Sequence, residues 1–229
     1  MEKTKQKKKI PPLCLALDLF CAGMSLIMLV LTVIGHIRGL FHPQLSVMLG
    51  NTVLWLVPFA GRALLGDRIG NVLWAVLAVF CFFASFLGSV LQLHAFVWWY
   101  DIAMHTLFGY LGGIIGLFFL CKLTDAQSRK AGFSLLFCFA VSMMFAALWE
   151  VFEFSTDILL GGTAQGTPVL LPDGSSVVPV NDTMEDILCN LCGALVFCAQ
   201  YTLHLLTKKS FLIPQMIRDF SPADNAEKE

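Results

Sequence analysis

The sequence predicts an all-α protein, a polytopic transmembrane helix bundle of about six spans with both termini on the cytoplasmic side. Three observations predict it. Of 229 residues, 57% are hydrophobic and 14% are charged, with a mean hydropathy of +0.76, whereas a soluble domain carries about 25% charged residues. The apolar residues form runs long enough to cross a hydrocarbon core about 30 Å thick, which takes about 20 residues at 1.5 Å each. Finally, with the N-terminus inside, every Lys and Arg of the 15 except Arg38 falls in a cytoplasmic segment, where membrane proteins concentrate them. This composition excludes nucleic-acid binding and makes membrane lipid the one certain partner.

The spans are expected at Leu13 to Ile34, Leu45 to Leu65, Asn71 to Leu93, Asp101 to Cys121, Gly132 to Leu159 and Asp182 to Leu206. They make one membrane domain, 13–206, between a basic cytoplasmic tail, 1–12, and a second cytoplasmic tail, 207–229. The Lys-rich start imitates a secretory signal, but its apolar run outlasts an h-region of about 7 to 15 residues and no small-residue cleavage site follows. The first helix is therefore expected to stay. In the first span Asp18 stands near the level of Arg62 and can pair with it. Cys14, Cys21, Cys81, Cys121, Cys138, Cys189, Cys192 and Cys198 all fall in or beside spans, where cysteine serves as a small apolar filler. Cys189-x-x-Cys192 lacks the second pair that a zinc or redox motif would have. His94, Gln200 and His204 lie near interfaces and are assigned no chemistry.

Between the fifth and sixth spans the loop 161–181 holds Thr167 to Leu171, then Pro172-Asp-Gly174, then Ser175 to Val178. Apolar runs about a Pro-Asp-Gly turn predict an external hairpin. Its position above the end of the bundle allows it to act as a lid or as a plain connector.

Ionisable residues inside spans are costly and mark function when partners can be named. Asp101 and His105 are i and i+4 on the fourth helix, and Gly109, Gly112 and Gly116 continue that face, where small side chains admit a close neighbour. On the fifth helix Glu150, Glu153 and Asp157 follow i, i+3, i+7. On the sixth, Asp182, Asp186 and Asn190 follow i, i+4, i+8. In a six-span topology the fourth helix starts outside, the fifth ends outside and the sixth starts outside, so all these groups can meet in one outward-facing cavity. Capping explains Asp101 and Asp182, but not Glu150, Asp186 or Asn190, which stand about 12 Å deep.

Six carboxylates facing one imidazole cannot all stay ionised unaided. They recruit a cation, share protons, or receive a cationic substrate. Oxygen-rich ligands favour Mg, Mn or Ca, and Zn held by His105 and two carboxylates also fits. In the metal reading Asp101, His105, Glu153, Asp182 and Asp186 are the ligands, with Trp149, Asp157 and Asn190 lining the site. Glu150, Glu153 and His105 are the candidate catalytic groups, a spare glutamate serving as general base in hydrolysis or group transfer on an envelope or lipid-linked substrate. A cation- or proton-coupled transporter and a non-catalytic sensor of external pH are the other classes, the latter resting on one His among carboxylates. Thr106 and Ser155 are expected to bond helix carbonyls.

The order W-x-D-x-x-x-H at Trp99 to His105, W-E-x-x-E at Trp149 to Glu153 and D-T-M-x-D-x-x-x-N-x-x-G-A at Asp182 to Ala194 resembles the YjdF-like bacterial inner-membrane proteins, over most of the six spans. It is more distantly similar to the VanZ-like family, which places D-x-x-x-H, a later acidic residue and D-x-x-x-N-x-x-G-A in that order. The resemblance implies a multi-pass protein of the bacterial inner membrane in which Asp101, His105, Glu150, Glu153, Asp182, Asp186 and Asn190 belong together. Paired Glu150 and Glu153 depart from the VanZ-like pattern of a glutamate followed by Gln, so a role in glycopeptide tolerance does not transfer.

Overall fold

The structure is a computed structural model and describes residues 12–39, 48–56, 70–125, 130–160, 164–166, 168–178 and 180–220. These residues are mostly helical, with one small hairpin and short irregular connections. In chain order they form α1 (Pro12–Ile37), α2 (48–56), α3 (Asn71–Cys81), α4 (Leu93–Phe96), α5 (Tyr100–Leu123), α6 (Ala131–Leu160), α7 (Asn181–Thr207) and α8 (Ile213–Phe220). Five described helical stretches are long and apolar enough to cross a membrane: Leu15–Ile37, Asn71–Val90, Tyr100–Leu123, Ala131–Leu159 and Asn181–Thr207. They match five of the expected spans to within a few residues. Of the second expected span only 48–56 is described, and the rest of it lies outside the described residues.

The chain divides into two compact units, Met1–Ser85 and Phe86–Glu229. In the first, polar side chains tie helices that are otherwise held by apolar contact. Trp74 Nε1 donates to Asp18 Oδ1 at 2.8 Å, Trp55 Nε1 to Ser85 Oγ at 2.9 Å, and Ser25 Oγ to the Thr52 carbonyl at 3.1 Å. Asp18 thus has an indole partner, while Arg62, its expected one, lies outside the described residues. Helix α3 runs on as π turns through Phe82–Val90, closing with the Leu91 N–H on the Phe86 carbonyl five residues back.

In the second unit α5 is the central helix, wedged between α6 and α7, and its glycines show how. A Cβ on Gly112 would come within 2.7 Å of Ser142 Cα, and one on Gly116 within 2.7 Å of Cys138 Cα, both on α6. A Cβ on Gly109 would overlap the Asn190 carbonyl, and one on Gly113 the Phe197 ring, both on α7. The glycine stripe expected on one face is therefore shared between two neighbours. Lacking side chains, these residues let three backbones approach, the usual substitute in lipid for a hydrophobic driving force. Ser142 Oγ adds a 2.6 Å hydrogen bond to the Gly109 carbonyl. At the end of α5 farthest from Asp101, α8 packs Ile213, Met216 and Phe220, each 0% exposed, with Phe220 edge-on to Phe118.

The loop after α6 contains the expected hairpin, β1 (Val169–Leu170) paired antiparallel with β2 (Ser176–Val177). Gly174 takes a φ of +83° at its turn, a conformation that favours glycine. The Ser175 hydroxyl and N–H both donate to Asp173 Oδ1, at 2.6 and 2.9 Å. Those bonds hold this exposed carboxyl below its ordinary range.

The described cysteines are all free thiols, with Cys21, Cys81, Cys121 and Cys138 buried as apolar fillers. Thr106 and Ser155 donate to the carbonyls of Ile102 and Val151 four residues back, at 2.8 and 2.6 Å, as expected.

Candidate functional site

The start of α5, the end of α6 and the start of α7 converge at one end of the second unit, and each brings its carboxylates there. Asp101, His105 and Asp186 place one ligand atom apiece within 4.8 Å of one another; so do Glu150, Glu153 and Asp186. Asp186 belongs to both groups. His105 Nε2 lies 3.6 Å from Asp101 Oδ1 and 3.5 Å from Asp186 Oδ2. Such edges are those of ligands around one ion at about 2.1 to 2.5 Å.

Depth decides how these charges are felt. His105, Glu150, Asp186 and Asn190 are 7%, 5%, 5% and 0% exposed, whereas Asp101 opens to the surface. On the outer face of α6, Val151, Phe152, Phe154, Ile158 and Leu159 are exposed at the same level. Apolar side chains that surround a polar interior in this way face lipid, so the cluster lies at membrane depth.

Several of its atoms have no partner. Both Glu150 carboxyl oxygens, Glu153 Oε2 and Asn190 Oδ1 are buried without a hydrogen bond, and a buried unsatisfied polar atom costs about 1 to 3 kcal/mol. The Thr183 hydroxyl lies beside Glu150, outside hydrogen-bonding geometry. Glu153 is positioned instead by Trp149, whose Nε1 donates to Oε1 at 2.8 Å. Oxygens aimed at one another without donors fit a divalent cation, which needs oxygen ligands and brings its own charge. Asn190 Nδ2 lies 3.2 Å from His105 Nδ1 and donates to the Asp186 carbonyl at 2.8 Å. With that amide as donor, Nδ1 accepts and the imidazole proton sits on Nε2, between the two aspartates. His105 ligates through Nε2 only as the Nδ1–H tautomer, for which a half-turn of Asn190 supplies the unpartnered Oδ1 as acceptor.

Two expected site residues stand at the rim. The Asp157 oxygens accept the N–H groups of Ala164 and Gln165, both at 2.9 Å, pinning the loop to the end of α6. Gln165 extends that tie through Nε2, 3.0 Å from Thr183 Oγ1 on α7. Asp182 faces the same loop: a Cβ on Gly166, where φ is +94°, would lie 3.6 Å from its carboxylate. Neither Asp157 nor Asp182 joins the two groups built on Asp186. Asp157→Ala should therefore loosen the loop without emptying the cluster. Losing two charge-assisted bonds near the surface is worth about 1 to 2 kcal/mol, so thermolysin should cut the 161–180 loop roughly tenfold faster. Unchanged cleavage would mean that the loop is held by other contacts.

One further residue joins the cluster in the structure although its spacing in the sequence does not place it there. His94, on the single turn of α4, brings Nδ1 to 3.0 Å from Asp101 Oδ1 and packs edge-on to Tyr100 at 5.1 Å. It is the second imidazole of the cluster.

Residues 19–207 match the family DUF2238, described as predicted membrane protein. The chain belongs to that family. Every residue of the cluster, His94 included, falls within the DUF2238 match, which ends where α7 ends. An uncharacterised protein of Thermotoga maritima is 22% identical over 151 residues, covering 63% of this chain and 71% of that one. No solved structure matches. The protein is thus an integral, multi-pass membrane protein with a helical-bundle fold.

Proposed function

We propose that this protein is a bacterial inner-membrane protein whose acidic cluster faces away from the cytoplasm and binds a divalent cation. In this reading it performs hydrolysis or group transfer on an envelope or lipid-linked substrate. The observation that carries it is the pair of ligand groups sharing Asp186, with both Glu150 carboxyl oxygens and Glu153 Oε2 buried without a hydrogen bond. The donor set is rich in oxygen, which favours Mg, Mn or Ca ahead of Zn. The placement of Lys and Arg supports the outward orientation, and the YjdF-like pattern supports the bacterial inner membrane.

When bound, the cation would polarise a phosphoryl or carbonyl oxygen or lower the pKa of a water. The chain's residues divide the remaining work. Asp101, His105 and Asp186 hold and neutralise charge. With a single cation on the Asp101 group, Glu153, oriented by Trp149, would accept a proton from an attacking water, and Glu150 is the alternative base. A lipid-linked substrate is supported by the hairpin, where Val169, Leu170, Leu171, Val177 and Val178 are exposed directly after the loop segment tied to Asp157. Trp98 and Trp99, exposed on the approach to α5, are typical of an interfacial belt. Support for a closed site over a through-path comes from Phe197. It is 0% exposed and lies along α7 between Asn190 and Gln200, the latter bonded to Tyr110.

Elemental mass spectrometry of the purified protein tests the reading. A near-stoichiometric divalent metal, lost in an Asp101→Ala, Asp186→Ala double variant, is expected. Protein that stays metal-free after reconstitution with each candidate ion would overturn it in favour of shared protons.

A further inference from the structure

We infer that the cluster holds two divalent cations, bridged by the carboxylate of Asp186. The inference rests on the cation-binding reading above and adds number and arrangement to it. One ion between Asp101, His105 and Asp186 accounts for only half of what the structure assembles. Glu150 and Glu153 would remain, each within 4.8 Å of Asp186. Glu150, 5% exposed, brings a carboxyl oxygen into the second group, and neither of its oxygens is hydrogen-bonded. Glu153 has the Trp149 indole on one oxygen and nothing on the other. An uncompensated buried carboxylate costs several kcal/mol, and here two would stand side by side at membrane depth.

Counting charge gives the same number. Asp101, Asp186, Glu150 and Glu153 carry four negative charges when ionised, and two divalent cations neutralise them. The geometry also fits, because a carboxylate has two oxygens and can serve one ion with each. Asp186 is the one residue common to the two ligand groups among the described residues, so it is the natural bridge. Paired ions in hydrolases and transferases stand about 3.5 to 4 Å apart, where they act together on the attacking and leaving oxygens of a displacement. The substrate class narrows accordingly to esters or anhydrides whose reacting centre presents two or more oxygens, phosphoryl groups foremost.

The test is a titration of chelator-stripped, full-length protein in nanodiscs with Mn²⁺, read by electron paramagnetic resonance. The wild type should take up two ions per chain and show the multiline signal of an exchange-coupled pair. Glu150→Gln and His105→Gln, each removing a ligand from a different group, should reduce uptake to one ion and abolish the coupled signal. A wild type that saturates at one ion with an isolated spectrum overturns the pair but leaves the single-cation reading standing. No specific uptake overturns both. Because the two variants probe separate groups, a folding failure in one, seen as loss of a monodisperse peak, leaves the other decisive.

Discussion

Placing a methyl group at Gly193 should cost the protein more than any other single-carbon addition in the bundle. A Cβ there overlaps the Thr106 carbonyl oxygen, while a Cβ on Gly109 overlaps the Asn190 carbonyl. The two glycines thus sit back to back at the crossing of α5 and α7, and backbone cannot rotate away as a flexible side chain can. Helix propensity works in the opposite direction, because Gly→Ala in a helix interior gains about 0.5 to 1 kcal/mol when nothing else changes. A loss must therefore come from the contact. Forcing the helices apart costs about 3 kcal/mol, the upper end of the usual range for overpacking, so after the propensity gain Gly193→Ala should lower Tm by roughly 4 to 10 °C. Gly193→Val should yield no monodisperse protein. Gly132→Ala on α6, where a Cβ meets nothing within 4 Å, provides the control and should leave Tm unchanged or slightly raised. Equal Tm values for Gly193→Ala and Gly132→Ala would show that α5 and α7 do not cross so closely.

The same crossing explains how much of the site could be read from the sequence. Hydropathy runs located the spans, because crossing lipid imposes a length and a composition on each helix. Helical periodicity then put Asp101 on the face of His105 and Asp186 on that of Asn190, since i and i+4 share a face whatever the neighbour. What the sequence withheld is what depends on the neighbour. Gly109 and Gly112 are three residues apart, yet one meets α7 and the other α6; only the packing of three helices assigns them. His94 is not legible by periodicity because it precedes Asp101 by seven residues across an irregular turn, where helical spacing says nothing. A sequence signal did exist, in a histidine just before the Trp98-Trp99 belt. Asp157 shares the face of Glu150 by spacing, but it lies about two helical turns farther along, at the rim, where loop N–H groups claim both oxygens. Asp182, one turn before Asp186, is likewise at the rim.

Glu150 gives the sharpest separation between a binding site and a polar strut. A carboxylate kept for stability should have donors, and this one is buried with neither oxygen hydrogen-bonded. Replacing it by Met, which is similar in length and apolar, removes a buried polar group and one member of a like-charged cluster. In the presence of chelator Glu150→Met should therefore be more stable than the wild type by about 1 to 3 kcal/mol, a rise in Tm of roughly 2 to 10 °C. Added cation should reverse the ranking. A ligand that binds only the folded state stabilises it by about 2.7 kcal/mol at a hundredfold excess over Kd. The wild type should collect that increment from both ligand groups and the variant from one at most. Thermal melts with chelator and with Mn²⁺ give all four values. If the variant melts below the wild type under chelation and both gain equally from Mn²⁺, Glu150 braces the helices and takes no part in binding. The expected crossover instead identifies a residue whose unfavourable burial is retained for what it binds, because a stability cost at Glu150 that a cation removes has no other compensation among the described contacts of that side chain.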